Sequence, residues 1–66
     1  MKIYIVCWSG GYELPSYQAF RTYDDAYRAA KDWEKDTDEG DMIEILVLDT
    51  ASLDIEREYS YVPSLW

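Results

Sequence analysis

The stretch TYDDAYRAAKDWEKD, residues 22–36, decides how this chain folds. Ala26, Ala29, Ala30 and Trp33 recur at helical spacing and form one apolar stripe, flanked by Tyr23 and Tyr27. Thr22 is placed to cap the helix, with Asp25 three residues on. Asp24 and Asp25 fall in the first turn, where the helix dipole favours negative charge. The spacing predicts a helix from about Tyr23 to about Asp36, with Asp24–Arg28 and Arg28–Asp32 as ion pairs along its face. The alanines let such a helix approach a sheet closely, and Trp33 supplies bulk.

Working outward, each flank reads as a pair of strands. Residues 2–9 are rich in β-formers and apolar on both faces, which predicts a central strand. SGGYELPS then breaks the pattern as a loop. YQAFRT, residues 17–22, reads as a short edge strand. After the turn at Gly40, residues 41–49 place Ile43, Ile45 and Val47 on one face, with Met42, Glu44, Leu46 and Leu48 on the other. Asp49–Ser52 has turn chemistry. Residues 53–61 alternate: Leu53, Ile55, Arg57, Tyr59 and Tyr61 against Asp54, Glu56, Glu58 and Ser60. Pro63 ends that strand. The order is β-β-α-β-β. The expected fold is one α+β domain over residues 1–66, a two-layer sandwich. Its four-stranded antiparallel sheet has strand order 2-1-3-4 and a helix on one face.

Composition narrows the chemistry. The chain has 66 residues, so its core is thin and must lean on three Trp, seven Tyr and one Phe. It has no His, which removes the commonest general base and metal ligand. Its single cysteine, Cys7, lies in the apolar run IYIVCW and reads as a small buried hydrophobe. SGGYE lacks the spacing of a phosphate loop. The run DTDEGD places Asp36, Asp38 and Gly40 as in a calcium loop, but the chain enters an apolar strand where the bidentate Glu should fall. The expectation is a protein without catalytic residues, metal or cofactor. The apolar core Ile3–Trp8 is too short for a secretory signal, and no run is long enough to span a membrane. A cytoplasmic monomer is expected.

What remains is charge. Fourteen acids against six bases give a net charge of −8. Asp32, Glu34, Asp36, Asp38, Glu39 and Asp41 crowd into eleven residues, 31–41. Asp54, Glu56 and Glu58, two apart on a strand, would repeat every ~7 Å on one face, much as phosphates repeat along a nucleic-acid strand. These nine carboxylates are the candidate partner-binding residues. Such a surface repels nucleic acid itself, but suits a basic groove built to hold it. The opening MKIYIVCWSGGYE, the helix TYDDAYRAAKDWEKD and the acidic run to Asp41 resemble the small acidic phage proteins that inhibit bacterial defence, the anti-CRISPR proteins. The resemblance implies a stoichiometric inhibitor that mimics DNA and blocks the large subunit of a type I CRISPR surveillance complex in the host cytoplasm. The competing reading is a non-catalytic accessory domain whose acidity serves solubility.

Overall fold

The computed structural model describes residues 1–10 and 14–63. The loop expected across Gly11–Glu13 and the end of the chain past Pro63 lie outside the described residues. Strand β1 (Lys2–Ser9) is followed by β2 (Ser16–Phe20), helix α1 (Tyr23–Glu34), β3 (Met42–Asp49) and β4 (Ile55–Tyr61). The sheet order is β2-β1-β3-β4, with every neighbouring pair antiparallel. This is the expected α+β arrangement, with the two most apolar strands in the middle.

The helix sits on the sheet through its smallest residues. Ala26 and Ala30 are fully buried against Val6 of β1 and Ile43 and Ile45 of β3, which are also fully buried. Around this centre pack Tyr4, Trp8, Phe20, Tyr23, Trp33, Tyr59 and Tyr61. Trp33 meets Trp8 at 5.9 Å between ring centroids. Tyr23 meets Tyr4 edge-on at 6.0 Å. The helix therefore runs alongside β1 in the same direction.

The helix ends obey local rules. Thr22 Oγ1 accepts the Asp25 backbone N–H at 3.2 Å, capping the start as expected. At the far end, Lys35, Asp36 and Thr37 donate backbone N–H groups to carbonyls three residues back. That tightening closes the helix at Glu34, two residues before the expected Asp36. The expected Arg28 pairs do not form among the described residues. Asp32 instead meets Lys35 at 3.7 Å, and Lys31 meets Glu34 at 3.1 Å.

The fourth strand departs from its expected alternation. Ile45 pairs with Tyr59 but Leu46 pairs with Arg57, so Glu58 is an extra residue, a β-bulge. Tyr59 and Tyr61 face the helix, whereas Ile55 and Arg57 lie on the opposite face beside Leu48 and Leu46. The single apolar face expected for Leu53, Ile55, Tyr59 and Tyr61 is thereby divided. Leu53 is not in the strand: it is 73% exposed and sits in the β3–β4 turn at φ 63°. Its N–H donates to the Asp49 carbonyl at 2.7 Å, and Thr50 ties the turn to the Met1 carbonyl at 2.9 Å.

Two stability changes follow from this packing. Trp33→Ala removes a half-buried indole from the helix–sheet seam and should cost about 3 kcal/mol, measured by urea unfolding. Leu53→Asn should stabilise the chain by roughly 0.5–1 kcal/mol, because a branched side chain in the left-handed region is strained and asparagine tolerates that region. A melting temperature unchanged in the first or lowered in the second would contradict these assignments.

Candidate acidic binding surface

The structure separates the candidate carboxylates: one set follows the helix and leads into the start of β3, and the other runs beside β3 from its Asp49 end, at Asp54, to its middle, at Glu58. The first group follows the helix. Asp32, Asp36, Asp38 and Glu39 are exposed. Asp41 is half-buried: its Oδ2 accepts the Asp38 N–H at 2.9 Å, and the Asp41 N–H donates to the Asp38 carbonyl at 3.0 Å. The turn closes on its own side chain. Gly10, at φ 143°, lies directly against it. A Cβ on Gly10 would stand 2.6 Å from the Asp41 Cα, so only glycine lets β1 end so close to this acidic turn.

Glu34 does not belong to this exposed group. Its side chain is only 9% exposed and is bridged to Lys31. It also accepts a hydrogen bond from the Tyr59 hydroxyl across the helix–sheet seam. Its carboxylate is engaged inside the molecule, a correction to its expected place on the partner-binding surface. Tyr27 stacks on Tyr23 at 5.9 Å and meets Tyr59 edge-on at 5.4 Å, with the Lys31 ammonium 5.8 Å from its ring centre. A chain of tyrosines, Tyr4–Tyr23–Tyr27–Tyr59, thus lines one side of the helix and ends at the Glu34–Lys31 pair.

The second group forms at the far corner of the sheet. A 12-residue helix is ~18 Å long, whereas an eight-residue strand is ~26 Å, so one corner of the helix-side face stays uncovered. There a shallow depression is lined by Lys2, Val47, Asp49, Ser52, Asp54, Glu56 and Glu58. Asp54, Glu56 and Glu58 do share one side, but not as a regular strand row: Asp54 precedes β4 and Glu58 sits at the bulge. Sequence reasoning missed Asp49 and Lys2. Asp49 was legible as a turn residue, and it is one: its Oδ1 accepts the Ala51 N–H at 2.9 Å and the Ser52 N–H at 3.4 Å. Those two backbone donors hold its pKa below the ordinary carboxylate value, with smaller help from the chain's amino terminus and Lys2. Asp49 therefore stays ionised further into the acid range and anchors the charge of this corner.

Other chemistry is weaker. Cys7 is buried, and desolvation pushes its thiol pKa up, with Glu44 adding to the rise and a Tyr17 hydrogen bond opposing it. A thiol so placed is a poor nucleophile. Among the described residues, no group of three or more acidic or thiol side chains is arranged to hold a metal ion. No helix among them is long and apolar enough to cross a membrane. Comparisons with protein-family models, curated proteins and solved structures return no match.

Tyr59 offers a direct test of the seam. Burial, and then the Glu34 carboxylate, push its pKa from 10.0 up to about 12. A phenol kept neutral by the fold contributes stability fully below its ordinary pKa, and that contribution is lost as pH rises through the folded value. Stability should therefore fall between pH 10 and about 12, with one tyrosine ionising late by ultraviolet absorbance. Tyr59→Phe should remove the late transition and cost about 1–2 kcal/mol at neutral pH. An unchanged titration curve in the variant would remove Tyr59 from this role.

Proposed function

We propose that this chain is a non-catalytic inhibitor whose acidic surface occupies a basic nucleic-acid-binding site on another protein. The reading extends the anti-CRISPR resemblance: a phage-encoded DNA mimic acting on a bacterial defence complex inside the host cell. The observation that carries it is the corner depression. Asp49, Asp54, Glu56 and Glu58 converge there on one side, with Lys2 as the single cation among its lining residues. Of the five other cations, Lys31 pairs with Glu34, Lys35 with Asp32 and Arg57 with Glu44, while Arg21 and Arg28 are exposed and not among the residues that line the depression. The corner is left as a concentrated, solvent-facing source of negative potential. Lys and Arg side chains arranged for phosphates meet carboxylates there instead, and electrostatic steering brings the two proteins together.

The exposed turn at Asp36, Asp38 and Glu39 supplies a second acidic contact at the other end of the sheet. Two separate sources of negative charge along the sheet suit an extended basic groove better than a point contact. In the accessory-domain reading the same carboxylates are only solvated, and the two readings part on a binding measurement.

The test is competition on a type I surveillance complex with labelled target duplex. The chain should displace duplex, and added salt should weaken its own binding. Asp54→Lys with Glu56→Lys, or Asp36→Lys with Asp38→Lys, should weaken binding at least tenfold, about 1.4 kcal/mol. All four side chains are exposed, so the fold should be retained. Duplex and protein bound together at every ratio would overturn the mimicry. Indifference to both double reversals would favour the accessory domain.

A further inference from the structure

The helix covers one face of the sheet, and the other face is apolar. Antiparallel partners share a face, so the registers place Ile3, Ile5, Cys7, Ala19, Leu46, Leu48 and Ile55 together on the side away from the helix. Tyr17, 64% exposed, and Ile55, 60% exposed, stand at its two outer strands. Among the described residues no element covers this face.

Its charge is unlike that of the rest of the chain. In a protein of net charge −8, its strand positions carry one acid and one base, Glu44 and Arg57. These meet each other at 3.0 Å. The face is therefore neutral as well as apolar. A basic partner gains nothing from it, so it is not part of the acidic surface.

We infer that the open face is the contact surface of a homodimer, in which two copies stack sheet on sheet with both helices outermost. Three features select a second copy as occupant. A neutral face meets its own copy without charge conflict, and its one ion pair is satisfied within each chain. Strands of eight, five, eight and seven residues, rising ~3.3 Å per residue and ~4.8 Å apart, present about 440 Å² per copy, so two copies cover about 900 Å², just under the ~1,000 Å² of a stable interface and in the range of a weak, reversible one. Sheets stack face to face at ~10 Å, a separation filled by Ile, Leu and Tyr side chains such as these. The contact is isologous, so it closes at two copies. A surface of this size gives a weak dimer that dissociates on dilution. This inference does not rest on the proposed inhibitory function, because the acidic corner and turn remain outside the contact.

Sedimentation velocity across a concentration series of the full chain tests it. The mass should rise from 7.8 kDa towards twice that value with increasing concentration. Ile55→Lys and Tyr17→Lys change exposed residues at the two margins of the face, so each should leave the melting temperature nearly unchanged. Each should weaken dimerisation at least tenfold, although each lowers the net negative charge. Ser16→Lys with Gln18→Lys, on the edge strand but on the helix side, should have little effect. A mass fixed at the monomer value up to roughly millimolar concentration would overturn the inference. So would a dimer that survives both margin variants but is lost in the edge-strand pair, which would place the contact on the strand edge.

Discussion

The close seat of Ala26 and Ala30 on Val6, Ile43 and Ile45 is the constraint on which the molecule depends. With so little chain, one helix must seal one face of four strands. Large residues at these positions would lift it away from the sheet and open the centre of the core. Methyl groups let it sink, and the larger rings take positions around the edge. Trp8 with Trp33 closes one end, and Tyr4 with Tyr23 closes the other. The consequence is a core of small and branched side chains surrounded by aromatics. Those aromatics carry polar tips, which can be satisfied where the seam meets water.

That arrangement decides the roles of individual charges. Glu34 lies at the helix end that passes over Tyr59, so its carboxylate is partly desolvated and must be satisfied. The Tyr59 hydroxyl and the Lys31 ammonium do this. Its neighbours Asp32 and Asp36 lie on exposed parts of the helix end and serve no such purpose. Sequence alone lists the carboxylates of residues 31–41 as one group. Packing separates them into one structural anchor, one self-closed turn at Asp38–Asp41 and a remainder that faces water.

The elements and the strand order were legible because their signals are physical and local: the alanine stripe, the Thr22 cap and the two doubly apolar strands. The bulge was not legible. Residues 53–61 alternate almost without fault, with Arg57 the exception on the apolar side, and a regular strand would place Ile55 and Tyr59 on the same face. The helix, however, is shorter than the sheet and does not reach over the first half of β4. On the helix side there Ile55 would stand among the charges of the depression, whereas on the opposite face, still 60% exposed, it lies beside the apolar Leu48. Tyr59 needs the helix side to reach Tyr27 and Glu34. One extra residue, Glu58, reconciles these demands. The alternation held no sign of it because the cause lies in the length of another element. The same mismatch of lengths creates the acidic corner, so Asp49 and Lys2 could not be assigned to it from their neighbours in sequence.

The two surfaces respond to ions in opposite directions. Binding of an acidic corner to a basic groove draws on Coulomb attraction between exposed charges, and screening weakens it. Stacking of two open faces draws on burial of apolar area, while each chain of net charge −8 repels its copy. The carboxylates of the corner and the Asp36–Glu39 turn stand outside the proposed contact, so the repulsion acts over distances comparable with or greater than the Debye length. At ~0.15 M salt that length is ~8 Å, and most of the repulsion is already removed. At ~0.01 M it is ~30 Å, and the whole charge of both copies is felt. Low salt therefore favours the monomer and strengthens its attraction to a basic partner, while higher salt favours the dimer and weakens that attraction. If both surfaces operate, ionic strength trades one association against the other, although no residue is shared between them.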